Sequence, residues 1–120
     1  MVVGLIGCNQ NQPVGNTPAP SIKVSSIPAD LKNAEALFTK HCAACHGARA
    51  AGTSHGPSFL SNIYQPSHHG DEAFVRAATI GVRAHHWSFG DMPPVNGITP
   101  QEIETIIPYV RWLQRQAGIQ

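Results

Sequence analysis

Apolar positions along this chain fall into three stretches of helical period, separated by long stretches with none. Ala34, Leu37, Phe38, His41 and Cys45 recur at i, i+3, i+4, i+7 and i+11, one side of a helix, and Asn33 stands where a capping residue would start it. The second stretch opens at Gly70-Asp71-Glu72, two acids suited to the positive end of a first turn. It predicts Phe74, Ala77 and Ala78 facing inward, with Gly81 closing the helix. The third has the sharpest start. Thr99-Pro100-Gln101-Glu102 combines a capping box with proline at the first helical position. Its stripe is Ile103, Ile106, Ile107, Val110 and Leu113, and Gly118 is a natural stop. Pro108 goes against the pattern: inside a helix it removes the bond to the Glu104 carbonyl and is expected to kink the rod. No run alternates with strand period, and there is no internal repeat.

The intervening segments read as loop. Residues 47–69 hold Gly, Pro, Ser and His, with one short helical turn expected near Ser58–Ile63, and residues 82–98 are loop again. Val2 to Ile6 is briefly apolar, and Asn9 to Pro28 is then rich in Asn, Gln, Pro, Ser and Gly, with Lys23 its one charge. That composition buries too little surface to fold, so residues 1–29 are expected to be a flexible polar linker and residues 30–120 the folded domain. The fold class is all-α, three main helices plus long loops. Loops of this length do not suit a bare helical bundle of about 90 residues. A large, flat, apolar cofactor would supply the missing core.

Composition narrows the function. A chain of 120 residues is one domain's worth. Charged residues make up 12% and the net charge is +1, which argues against a basic nucleic-acid binder and an acidic tail. No apolar run approaches 18 residues, so no transmembrane helix is expected. The three cysteines are too few, and odd in number, for a disulfide scaffold.

They divide into two plus one. Cys42-Ala43-Ala44-Cys45-His46 is a C-x-x-C-H run, the signature of c-type haem attachment. The two thiols add to the vinyl groups on one edge of a haem, and the next side chain, His46, is held under the iron as proximal ligand. A thioredoxin-like redox pair would need a βαβ context, and none is visible. A zinc site would want a second ligand pair at zinc spacing, which His55 and the His68-His69 pair do not provide.

With these residues in place the chain resembles a class I bacterial cytochrome c over about residues 30–118. The resemblance is carried by Phe38, four residues before Cys42, and by the small Ala34 one turn earlier. It is carried further by Gly56-Pro57, ten and eleven residues after His46, by Met92-Pro93-Pro94, and by Tyr109 in the last helix. It implies that Phe38 and Tyr109 meet where the first and last helices cross. It implies that the Pro57 carbonyl accepts a bond from the proximal imidazole, fixing ring and tautomer. It implies that Met92 is the sixth ligand of one covalent haem c, and that the protein is exported, periplasmic or otherwise outside the cytoplasm. The His85-His86-Trp87 cluster before Met92 is not a general family feature, so His85 and His86 stand as alternatives to Met92.

Methionine is a soft ligand that favours ferrous iron, so a Met/His pair raises the reduction potential relative to two imidazoles. The competing reading of Met92 is a core gap-filler. His55, His68 and His69 read as surface residues, His68-His69 at most a weak copper or zinc pair, and no second metal site is expected. Arg83, Tyr64 and Trp87 are candidates to hydrogen-bond haem propionates. Phe59, Leu60, Ile63, Phe74, Ile80, Val82, Phe89 and Val95 are expected to line the haem. Leu5-Ile6-Gly7-Cys8 resembles a bacterial lipobox, which implies a lipid on Cys8 and a membrane tether through the polar stretch, about twenty residues spanning roughly 25 Å.

The expected function is a monomeric, monohaem carrier of single electrons between redox protein partners, not an enzyme, docking through a small apolar patch. The rivals are a haem enzyme or gas-binding module with a labile sixth ligand, a cytochrome subunit of a larger oxidoreductase, and a haem-free zinc or disulfide-exchange protein.

Overall fold

The computed structural model describes residues 26–120, so the lipobox-like segment with Cys8 lies outside the described residues. Among the described residues four α-helices follow in order: α1 (Lys32–His41), the single turn α2 (Ala43–His46), α3 (Asp71–Ile80) and α4 (Pro100–Gln116). Three 3-10 turns, Ala29–Leu31, Ala48–Ala50 and Asn62–Tyr64, punctuate the connections. Among the described residues there is no strand, only the isolated bridges Thr53–Gly56 and Val82–Met92. The fold is all-α.

The helix starts show where local sequence decides and where it does not. At α4 the capping box forms: Glu102 N–H donates to Thr99 Oγ1 at 3.2 Å, and Thr99 N–H to Glu102 Oε2 at 2.8 Å. At α3 Gly70 precedes the two acids, and Gly81, with φ +79°, ends the helix. α1 departs from expectation. Asn33 lies inside the helix, and the flanking residue is Leu31, with no side-chain cap. The turn Ala29–Leu31 runs straight into α1, and Lys32 N–H already bonds the Ala29 carbonyl, so the first turn has less need of a cap.

The same helix ends sooner than its apolar period suggests. Cys42, at φ −122°, breaks it, and the chain coils again as α2. Hydrogen bonds bridge the break, from Cys42 N–H to Phe38 O at 2.8 Å and from His46 N–H to Cys42 O at 2.9 Å. Pro108 does not interrupt α4. Pro108 and Glu104 are both exposed, so water can serve the carbonyl that loses its partner. The turn expected near Ser58–Ile63 forms slightly later, with the Ser61 hydroxyl accepting from Ile63 N–H.

The core sits where α1 crosses α4. Ala34 is 2% exposed, which lets the helices approach, and Phe38 and Tyr109 are each 1% exposed. Their rings meet edge to face with centroids 5.6 Å apart, a contact worth about 0.5–1.5 kcal/mol beyond area burial. The whole α4 stripe, Ile103, Ile106, Ile107, Val110 and Leu113, is buried. The packed region reaches back to Ile27, a member of the same core cluster.

Two polar residues share that inner face. Arg111 and Gln114 are buried, and the sequence reading passed over both. Arg111 donates to Asp71 Oδ1 (2.9 Å), to the carbonyls of Tyr64 (2.7 Å) and His69 (2.6 Å), and to Gln114 Oε1 (2.8 Å). Gln114 donates to the carbonyls of Phe59 and Tyr64. The long loop between α2 and α3 is thereby tied to α4 by satisfied, partly buried hydrogen bonds, which gives a segment without secondary structure a fixed path.

Candidate functional site

One cavity of about 740 Å³ opens between α1–α2, α3, α4 and the loop after α3. Its size falls in the range of small-molecule and cofactor sites, about 300–1,000 Å³. Cys42, Cys45, His46, Pro57 and Met92 all line it. The structure therefore brings together each candidate haem residue among the described residues.

His46 is 7% exposed and closes α2. Its Nδ1 lies 2.9 Å from the Pro57 carbonyl. A carbonyl can only accept, so Nδ1 carries the proton and Nε2 is left with its lone pair. Burial holds this imidazole below its usual pKa, against the opposing pull of the Pro57 bond, so it is neutral and fit to ligate a metal. Phe59 packs on the ring, with centroids 4.2 Å apart.

The loop that delivers Pro57 is tightly built. Thr53 Oγ1 donates to the Cys45 carbonyl at 2.6 Å, and Gly52 N–H to the His46 carbonyl at 2.6 Å. A Cβ on Gly56 would meet the Cys45 carbonyl oxygen at 2.7 Å, so only glycine allows this approach. Arg49 and Ala50 take left-handed conformations, φ 53° and 58°, at a cost of roughly 1–2 kcal/mol each. Ala50 is fully buried, and its carbonyl accepts from Phe59 N–H and the Ser58 hydroxyl, which holds the strained turn in place.

Cys42 and Cys45 are not joined in a disulfide. Burial, aided by repulsion from Cys45, pushes the Cys42 thiol up to about 11. Redox-active Cys-x-x-Cys pairs carry the opposite shift.

Met92 reaches the cavity from the loop after α3. It exchanges two 2.9 Å backbone hydrogen bonds with Val82. That pair pinches residues 83–91 into a closed loop, and Gly81, φ +79°, has no room for a Cβ beside the Met92 carbonyl. Ala84 N–H bonds Asp91 Oδ1 across the loop neck. His85 and His86 lie in this loop and also line the cavity, while His55 does not.

Phe59, Phe74, Val82, Phe89 and Val95 line the cavity as expected from sequence, but Leu60, Ile63 and Ile80 do not. Leu60 is instead in the main core, and Ile80 is 67% exposed. The last turn of α3 aims Ile80 away from the face that carries Phe74, Ala77 and Ala78. Ile103, Ile106, Ile107 and Val110 of α4 take the vacant places, so the stripe read as helix packing also serves the cavity. Arg83, Tyr64 and Trp87 all lie on the lining. Trp87 Nε1–H donates to the Tyr64 hydroxyl at 2.9 Å, which leaves the phenol its own proton to donate. Burial raises the Tyr64 pKa, partly offset by that bond, so the proton stays.

A long apolar cavity with two thiols, a neutral imidazole and a thioether on its lining fits a covalently held haem. Residues 31–114 match the family model of cytochrome c. Over 93 residues, 76% of this chain, the sequence is 29% identical to the cbb3-type cytochrome c oxidase subunit CcoP of Rubrivivax gelatinosus. The match takes in 28% of that protein, so the chain spans little more than a quarter of its relative. No solved structure matches the chain significantly.

Proposed function

Because the chain belongs to the cytochrome c family, a family of electron-transfer proteins with covalently bound haem c, we propose that it carries single electrons between redox proteins outside the cytoplasm. Cys42 and Cys45 would hold the haem through thioethers, and His46 and Met92 would ligate its iron. The haem, when bound, supplies the one-electron couple of its iron. The observation that carries this reading is that Cys42, Cys45, His46 and Met92 line one cavity, with His46 already neutral and tied to Pro57.

The protein's own residues do the rest. Pro57 fixes the ring and tautomer of His46. The apolar lining excludes water, and the low dielectric disfavours the extra positive charge of the oxidised site, which raises its potential. Tyr64 and Arg83 offer donors to the propionates, and Trp87 orients the Tyr64 hydroxyl by donating to it. Trp87 and Phe89, 39% and 43% exposed at the cavity mouth, form a small apolar patch for a transient partner. With charge nearly balanced, steering to that partner is weak. We place the protein as a monomer in the periplasm, tethered through a lipid on Cys8. Cys8→Ala would then move the protein from the detergent phase to the aqueous phase.

The reading is tested by the optical spectrum of the reduced, haem-loaded protein before and after carbon monoxide. An unchanged c-type spectrum fits closed His46/Met92 ligation. A shifted spectrum overturns it in favour of an enzyme or sensor with a displaceable ligand, and His85 and His86 become the next residues to substitute. A second reading is favoured by the similarity to an oxidase subunit: the same chemistry in a fixed complex. Co-purification with another polypeptide that survives high salt would support it over the free carrier.

A further inference from the structure

Three histidines of the cavity lining, His69, His85 and His86, meet a fourth, His68, outside it. His68 and His69 follow the turn Asn62–Tyr64, and His85 and His86 come from the loop that leads to Met92. One ring nitrogen from each of His68, His69 and His86 lies within 4.8 Å of the others. Their ring centroids form a near-equilateral triangle, 4.9, 5.4 and 5.3 Å on a side.

Two features separate this group from a chance surface cluster. The first is orientation. His69 Nδ1 lies 2.6 Å from the Ile63 carbonyl, so it carries the proton and Nε2 keeps its lone pair. His85 is set in the same way, with Nδ1 at 2.7 Å from the Arg83 carbonyl. Metal-binding histidines are typically fixed by such an outer bond from the second ring nitrogen to a carbonyl, and the His69 carbonyl is itself anchored by Arg111. The second is charge. None of these imidazoles pairs with a carboxylate among the described residues, where the ion pairs are His41–Glu102 and Arg111–Asp71. Packed together without an acid, they repel one another when protonated and present converging lone pairs when neutral.

We propose that His68, His69 and His86 bind one divalent transition-metal ion of the Zn2+ and Cu2+ class, with His85 or water completing the shell. An all-imidazole donor set suits Zn2+ and Cu2+ and does not suit Mg2+ or Ca2+. Two nitrogens bound tetrahedrally to one zinc stand about 3.4 Å apart. The 4.8 Å limit therefore asks for a contraction that rotation of the exposed His68 and His86 side chains supplies. The site revises the expectation from sequence, which saw only the adjacent pair. Its consequence is mechanical: the ion staples residues 68–69 to the loop that the Val82–Met92 pair closes.

The test uses the haem-loaded full chain, with Zn2+ on the reduced protein because zinc is redox-silent, and Cu2+ on the oxidised protein. Calorimetry is expected to show one Zn2+ per chain with micromolar affinity. His68→Asn and His86→Asn should each weaken it at least about tenfold, with the haem spectrum unchanged as proof of folding, and His55→Asn should leave it unchanged. Copper EPR should show coupling to three or more nitrogens. Wild-type affinity in both His68→Asn and His86→Asn, loss of binding in His55→Asn, or coupling to two nitrogens or fewer would overturn the site. An altered haem spectrum in His86→Asn would assign His86 to the haem and overturn the site in the same way, whereas a spectrum that responds to carbon monoxide but is unchanged in His86→Asn would overturn Met92 ligation and leave this site standing.

Discussion

The two sides of the cavity are built by different means. On the His46 side the imidazole sits at the end of a helix, 7% exposed, locked by the Pro57 carbonyl and backed by the α1–α4 crossing. On the Met92 side the residue ends an irregular loop whose residues 83–91 are all exposed, closed by the Val82–Met92 bridge and the Ala84–Asp91 bond. The first side is held by packing, the second by a few backbone bonds. Stability therefore lies on the attachment side, which folds with the core, and adaptability on the opposite side, which is free to vary without unfolding the domain.

Substitutions on the two sides should therefore differ in kind. The largest loss is expected from Phe38→Ala, which empties the helix crossing of a ring in contact with Tyr109 and Phe59. Denaturant unfolding of the haem-loaded protein should show about 3–5 kcal/mol. Next comes Gly56→Ala, whose methyl would strike the Cys45 carbonyl. It should cost about 1–3 kcal/mol by the same measurement, with a disturbed haem spectrum because the Pro57 loop must shift.

The α4 cap is the third. Thr99→Ala should cost about 1 kcal/mol. The cap also carries a pH signature. Its bonds to Thr99, chiefly the backbone one, hold the Glu102 carboxyl below the usual range. A depressed carboxyl binds fewer protons folded than unfolded, so its contribution is present above the unfolded pKa and declines as pH falls through the folded one. Stability should fall as pH drops below about 4.5, and Glu102→Gln should flatten that part of the profile.

The smallest effect should come from the open side. Phe89→Ala removes a large side chain that is 43% exposed, and a thermal melt should place it within about 0.5 kcal/mol of the wild type. A loss comparable to that of Phe38→Ala would refute the contrast between the two sides.

Much of this protein was decided locally. The Thr99 capping box, the acids of α3 and the α4 stripe needed only neighbours in sequence, because helix starts and amphipathic faces are short-range properties. The Cys42–His46 run is likewise local, since its spacing alone sets two thiols and an imidazole on one edge. What the tertiary structure decided was long-range. Arg111 and Gln114 sit on an apolar stripe, which is a signal in itself. Their partners at Phe59, Tyr64, His69 and Asp71 are reached only when the loop folds back. Ile80 faces water and α4 isoleucines face the cavity because the rotation of a helix about its axis is set by what it packs against. His68 and His69 meet His86 for the same reason: positions seventeen to eighteen residues apart come together only when the segments on either side of α3 fold against each other. Local pattern fixes which residues share a face, and only packing fixes what that face meets.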